Sequence, residues 1–141
     1  MTCTKRTLSE RGIVAVEFAL LLPVFLMILF GIIEFGRMMY GREIVTNAAR
    51  EGARAGIVAR APATTKPSGA AITGIANNYL TGTGISPASV TFTPVGAQMA
   101  YPAALTVSVV YQYNFLVPYL PAVIGIPNPL IINTQVVMTH E

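Results

Sequence analysis

One long apolar run occupies the first quarter of the chain. Residues 13–33 carry a single charged side chain, Glu17. An α-helix of this length extends about 32 Å, which matches a hydrocarbon core of roughly 30 Å. Pro23 lies inside the run and removes one helical hydrogen bond, so we expect a kink between Ala19 and Pro23. The run therefore predicts a transmembrane helix.

A secretory signal peptide is the alternative to a retained anchor. Its apolar segment would be only about 7–15 residues long and would end at a small-residue cleavage site. This run is longer, contains Glu17, and is followed by Glu34-Phe35-Gly36-Arg37. The pattern favours a helix that stays in the membrane.

Small and apolar residues continue a helical pattern to about Val58, at alternating spacings of three and four. They are Met38, Gly41, Val45, Ala48, Gly52 and Ala55. Ala48, Gly52 and Gly56 also form a row of small residues spaced by four, which allows close helix packing. Two partners fit this row: helices of other subunits, which we favour, or the chain's own C-terminal domain, and both contacts are possible at different points along the helix.

The C-terminal half predicts a small α+β domain. Residues 68–80 indicate a short helix, with Gly82 just past its end. Strands are predicted at 88–95, 105–115 and 130–140, and the second alternates most regularly. The loop between the last two strands, residues 116–129, is apolar and contains four prolines. We expect it to fold over the sheet rather than to dock on a partner or a membrane surface.

The predicted fold class is α+β, in four parts. A leader covers residues 1–12, and a transmembrane helix that continues into an amphipathic stalk covers 13–60. A linker rich in proline and threonine follows at 61–67. Residues 68–141 form the small domain, with one short helix and about three antiparallel strands.

Composition supports a membrane or assembly environment. Hydrophobic residues make up 53% of the chain and charged residues 11%, against about 25% charged in an ordinary domain. The basic residues lie between Lys5 and Lys66 and are interleaved with acids, so nucleic-acid binding is not predicted. Basic residues flank both ends of the apolar run, and charge alone leaves the orientation open.

The chemical inventory argues against an enzyme. Cys3 is the one cysteine and lies in the predicted leader, aspartate is absent, and His140 is the one histidine. We find no nucleophile–base pair, metal-ligand spacing or phosphate loop. The sequence therefore predicts no catalytic residues, no metal and no cofactor.

Glu17 is the unusual residue of the apolar run, because a carboxylate in a membrane is unfavourable. If the chain is cut after Gly12, Ile13 becomes a free α-ammonium four residues before Glu17 on the same helix. The carboxylate would suit the positive end of the helix dipole, and could pair with the ammonium of its own chain or a neighbour's. The alternative is that the Glu17 carboxylate does not pair with an ammonium and instead extends to the polar interface of the membrane.

Residues 12–56 resemble the TadE-like pseudopilin family of tight-adherence (type IVb) pilus systems. The matching features are Gly12 before the run, Glu17-Phe18 at the fifth and sixth positions after it, Leu22-Pro23, Gly31-Ile32-Ile33-Glu34-Phe35-Gly36-Arg37 and Asn47-Ala48-Ala49-Arg50-Glu51-Gly52-Ala53-Arg54.

The resemblance implies cleavage between Gly12 and Ile13 by a prepilin peptidase, and recognition of a neighbouring subunit through Glu17 and Phe18. It implies a single-pass protein of the bacterial inner membrane, with its C-terminal domain outside the cytoplasm. Its partners would be the peptidase, other pilins or pseudopilins, and the membrane, and its role would be to help assemble an adhesive pilus. The alternative is a monomeric single-span anchor that displays a binding domain for an unrelated partner.

Overall fold

The structure is a computed structural model that describes residues 6–58, 66–99 and 103–139, with backbone alone for residues 6–11 and Leu120. Cys3, most of the predicted linker and His140 lie outside the described residues. The chain divides into two compact units, one that ends at Gly36 and one that begins at Arg37. Each unit is described by itself below.

Helix α1 comprises Arg6–Ile57. It confirms the long apolar helix and its continuation beyond the run. The helix begins seven residues earlier than predicted, so the described part of the leader is helical as well. Pro23 lies within the helix and can donate no backbone hydrogen bond there. The kink expected at Pro23 stays a prediction.

Helix α2, Gly69–Leu80, is the predicted short helix of the C-terminal unit. The hydroxyl oxygen of Ser68 accepts a hydrogen bond from the Ala71 N–H at 3.3 Å and caps the N-terminus. Ile72, Ala76 and Leu80 recur every four residues and are all buried, which makes one face of α2 part of the core.

Three antiparallel strands form one sheet in the order β1-β2-β3, as the sequence predicts. They are β1 at Val90–Val95, β2 at Ala104–Tyr113 and β3 at Leu130–Thr139. A short 3₁₀ turn, Pro87–Ser89, precedes β1 where the prediction began the strand. Proline at the start of that turn leaves no N–H for a strand ladder there.

The core lies on one face of the sheet. Leu105, Val107 and Val109 alternate along β2 and are at most 1% exposed. The register places Val109 between Phe92 of β1 and Thr134 of β3. Seven positions of α1 are buried in this unit: Gly41, Val45, Ala48, Ala49, Gly52, Ala53 and Gly56. All but Val45 are glycine or alanine, so the helix backbone approaches its neighbours closely.

The apolar loop between β2 and β3 differs from its prediction. It contains a six-residue helix, α3, at Tyr119–Ile124. Leu116, Tyr119 and Val123 are 59%, 80% and 67% exposed, whereas Pro121 is fully buried. The expectation that this loop folds over the sheet stays a prediction.

Candidate processing and assembly site

The predicted cleavage site, Gly12 and Ile13, lies on α1. Both residues are exposed, and the Ile13 side chain retains 65% of its accessible surface. A Cβ added to Gly12 would meet no heavy atom within 4 Å. The peptide bond between them therefore lies on an uncovered part of the helix surface.

Glu17 and Phe18 follow one helical turn later, and both side chains are exposed, Phe18 to 64%. Residues four apart lie on the same helix face. The Ile13 nitrogen and the Glu17 carboxylate are thus on one face, although in the uncut chain that nitrogen is an uncharged amide. After a cut between Gly12 and Ile13, the helix would therefore hold the new α-ammonium and the Glu17 carboxylate on the same face.

The apolar run leaves its side chains uncovered within the unit that contains it. Every large apolar side chain from Ile13 to Ile33 is between 37% and 73% exposed. The helical segment Gly12–Ile57 contains an 18-residue window with mean hydropathy 2.7, and none of that window is buried. A helix that is apolar on all sides belongs in lipid or inside an assembly. By length and composition, this one can cross a membrane.

The small-residue row is placed inside the chain's own C-terminal unit. Ala48, Gly52 and Gly56 are all buried. A Cβ on Gly52 would lie 3.1 Å from the Ile72 carbonyl oxygen. A Cβ on Gly56 would lie 2.5 Å from Leu105 Cδ2. Gly52 and Gly56 therefore pack on α2 and β2 of the same chain. Contact of α1 with helices of other subunits stays a prediction.

A second feature of this unit is a cleft of about 380 Å³ beside Tyr111. Its lining includes Arg37, Thr83, Ser86 and Asn114. The Tyr111 ring packs edge-on against Tyr113, with ring centroids 6.3 Å apart. Burial raises the pKa of the Tyr111 phenol, and the Arg37 guanidinium opposes this with a smaller effect. The phenol is thus neutral at physiological pH and suited to hydrogen bonding rather than to nucleophilic attack.

The raised pKa of Tyr111 predicts a loss of stability in alkali. The folded state favours the protonated phenol, so this contribution is complete below about pH 10 and is lost as the pH rises through the folded-state pKa. Tyr111→Phe should reduce the fall in unfolding free energy above pH 10. Urea unfolding of the full chain in detergent, at several pH values, measures this difference. The exposed Tyr79 supplies the control, and an equal alkaline loss in Tyr111→Phe and Tyr79→Phe would contradict the argument.

Metal binding finds no support in the part of the chain that the structure describes. Those residues include no group of three His, Cys, Asp or Glu side chains that could hold a metal ion. Within the described part of the chain, Arg37 is the one charged residue that lines the cleft. The site that the sequence singles out, from Gly12 to Phe18, lies on the exposed surface of α1.

Comparison with protein families finds one similarity, which lies within α1. The model of the family described as TadE-like protein matches residues 12–54. This segment is similar to that family, and the match covers less than a third of the chain. The match begins at Gly12 and includes Glu17 and Phe18, as well as Ala48 and Gly52, and ends before Gly56.

No curated protein and no solved structure matches the chain. The family match ends at residue 54 and includes neither α2 nor the sheet. Among the described residues, one helix is long and apolar enough to cross a membrane.

Sequence reasoning missed two features of this region. It did not place Gly41 against Tyr111, where an added Cβ would lie 2.9 Å from the phenol oxygen. It also left out Ala49 and Ala53, which are fully buried beside the predicted row. The spacing of Ala49 and Ala53, one residue after Ala48 and Gly52, was the available signal for a broader core face.

Proposed function

We propose that the protein is a TadE-like minor pilin or pseudopilin that contributes to assembly of a tight-adherence (Flp-type) pilus, in adhesion or secretion. A prepilin peptidase cuts between Gly12 and Ile13, and the mature chain begins at Ile13. The observation that carries the proposal is the coincidence of the family match with an uncovered apolar helix. The match begins at the proposed cut, and the helix carries one carboxylate five residues after it.

The cut changes the electrostatics of the helix start. Before it, the Ile13 nitrogen is an amide; after it, the nitrogen is a cation that a membrane disfavours. The Glu17 carboxylate is disfavoured in the same environment. Pairing the Glu17 of one subunit with the new N-terminus of its neighbour neutralises both charges where water is scarce. Phe18, beside Glu17 and 64% exposed, adds apolar contact area.

The proposed location is the inner membrane, with α1 as the single span and the C-terminal unit on the periplasmic or extracellular side. The leader, 1–12, stays on the cytoplasmic side until it is removed. The parts of the chain after the cut are then a transmembrane and stalk helix to about residue 60, a linker at 61–67 and the α+β domain at 68–141.

A second candidate is a monomeric anchor that displays a binding domain. The cleft beside Tyr111 favours it, because that cleft combines a cation, hydroxyl groups and aromatic rings. Under this hypothesis the leader need not be removed, and Glu17 need not pair with a neighbour.

N-terminal sequencing and intact mass of membrane-extracted protein test the proposal. In cells that contain the peptidase we expect loss of residues 1–12 and a chain that starts at Ile13. Gly12→Val should block the cut, because a branched side chain would occupy the space beside the scissile bond. Gly36→Val is the matched control, since a Cβ at either glycine meets no atom within 4 Å. Full-length wild-type protein in such cells would overturn the proposed processing.

A further inference from the structure

Strand β3 lies at an edge of the sheet, and its outer side is unpaired among the described residues. All ten of its residues pair with β2 on one side, and the strand order β1-β2-β3 places no described strand on the other side. In an antiparallel ladder, every second residue points its N–H and C=O groups away from the partner strand. No described residue forms a hydrogen bond with those outward groups of β3. The strand therefore offers a row of backbone donors and acceptors to a further strand.

The two edges of the sheet differ in their protection against further pairing. The other edge, β1, is six residues long and contains Pro94, which has no N–H to donate. Strand β3 is ten residues long and contains neither a proline nor a charged residue. Natural sheets place such residues on long edges, because an unprotected edge pairs with other chains. The absence of both from β3 indicates an edge that accepts a strand.

A groove of about 470 Å³ runs along this edge, within the unit that begins at Arg37. Five consecutive residues of β3, from Thr134 to Met138, line it. Because neighbouring residues of a strand point to opposite faces, a groove that touches all five follows the backbone edge rather than one face. Its opposite wall is α1, where Arg42, Thr46 and Arg50 recur every four residues and so share one helix face. An added strand would lie between β3 and this row.

The charges of the groove favour acidic side chains in that strand. Among the described residues that line it, the exposed Arg42 and Arg50 outnumber the one carboxylate, Glu43. The two arginines are about 12 Å apart along the helix axis, a distance that an extended chain covers in about four residues. Residues four apart in a strand lie on the same face, so two acidic side chains at this spacing reach both guanidinium groups. Glu43 adjoins Arg42 in the chain, and the pairing with Arg50 is therefore the stronger of the two.

We propose that the outer edge of β3 binds an extended acidic segment of another protein as a fourth strand. Backbone hydrogen bonds to β3 supply the affinity, and acidic residues that face Arg42 and Arg50 supply the selectivity. A second copy of this chain fits less well. Twofold pairing of two β3 strands would bring the arginines of both copies to the same face of the joined sheet, and β3 has no carboxylate to offset them. This binding goes beyond the pilus role and needs neither the cut at Gly12 nor a membrane.

Binding of a synthetic peptide to the full-length protein in nonionic detergent tests the proposal. The probe is a fluorescein-labelled peptide of alternating valine and threonine that carries two glutamates four residues apart, and its anisotropy measures the dissociation constant. Replacing both glutamates with glutamine should weaken binding at least about threefold, as expected for exposed ion pairs. Arg50→Glu should weaken binding similarly, and a peptide with lysines in place of the glutamates should restore it. Arg54→Glu is the matched control, because Arg54 is exposed on α1 and does not line the groove.

Methylation of the peptide backbone separates strand addition from simple charge attraction. In an added strand, only alternate N–H groups point toward β3. Of two peptides methylated on the backbone nitrogens of odd or of even positions, one should therefore lose binding and the other should retain it. Equal binding of these two peptides would overturn the proposal, as would equal binding of the glutamate and glutamine peptides. A dimer of the wild-type chain that the glutamate peptide leaves intact, measured by light scattering, would assign the edge to a second copy and would also overturn it.

Discussion

Gly56→Val is expected to destabilise the C-terminal unit by about 3 kcal/mol, at the upper end of the usual cost of overpacking. Even a Cβ at this position would lie 2.5 Å from Leu105 Cδ2 and 2.7 Å from Ile72 Cδ1. Both neighbours are fully buried, so neither has free volume to move into. Replacing a helical glycine gives back less than about 1 kcal/mol of helix propensity, and the clash dominates.

Gly74→Val provides the matched control, because Gly74 is exposed in α2 and an added Cβ there meets no atom within 4 Å. It should change the free energy of unfolding by less than about 0.5 kcal/mol. Urea unfolding of the full chain in detergent, followed by the near-ultraviolet circular dichroism of the packed tyrosines, measures both variants. Equal stability of the two would show that α1 does not pack on α2 and β2 as described.

Glu17→Gln is expected to leave cleavage intact and to impair pilus assembly. The substitution keeps size and hydrogen-bonding capacity but removes the charge that would pair with a neighbour's new N-terminus. A hydrogen bond to a charged group contributes about 1.5–3 kcal/mol, equivalent to roughly a ten- to hundredfold change in association. N-terminal sequencing measures the cut, and counts of surface pili in a strain carrying the variant measure assembly.

Glu43→Gln removes a carboxylate that is also exposed on α1 but lies beyond the apolar run. It should be cut and assembled like the wild type. Normal piliation in Glu17→Gln would remove the proposed pairing role, whereas equal defects in both variants would indicate a general effect of charge. Failure of the Glu17→Gln variant to be cut would move Glu17 from subunit contact to peptidase recognition.

The elements of the fold were largely predictable because their patterns are local. The end of α1, the start of α2 and the start of β3 all agree with the sequence to within a few residues. The alternation from Leu105 to Tyr113 identified the buried face of β2, since successive strand residues point to opposite sides. The predicted helix began at Ile13, where the apolar run starts, whereas α1 begins at Arg6. The sequence before Ile13 contains no proline that would have to end a helix.

Contacts between elements were less predictable. A row of small residues predicts close approach, but its spacing carries no information on the partner. Gly52 and Gly56 look the same whether they face α2 or another subunit. Likewise, the apolar character of residues 116–129 fits a covering loop or an exposed one, and the choice depends on whether helices already fill the sheet face. The role of Glu17 was proposed from the sequence, but a single uncut chain does not contain the contact, because that role needs a cut chain and a second subunit.

The side chains that helix α1 can accommodate differ in size between its two parts. Between Ile13 and Ile33 the side chains are large and exposed, and bulk is compatible with lipid. From Gly41 to Gly56 six of the seven buried positions hold glycine or alanine, and added bulk has no room. A substitution scale averaged over the whole helix would therefore misjudge both halves. Tolerance to replacement should be scored separately on either side of Gly36, where the two units divide.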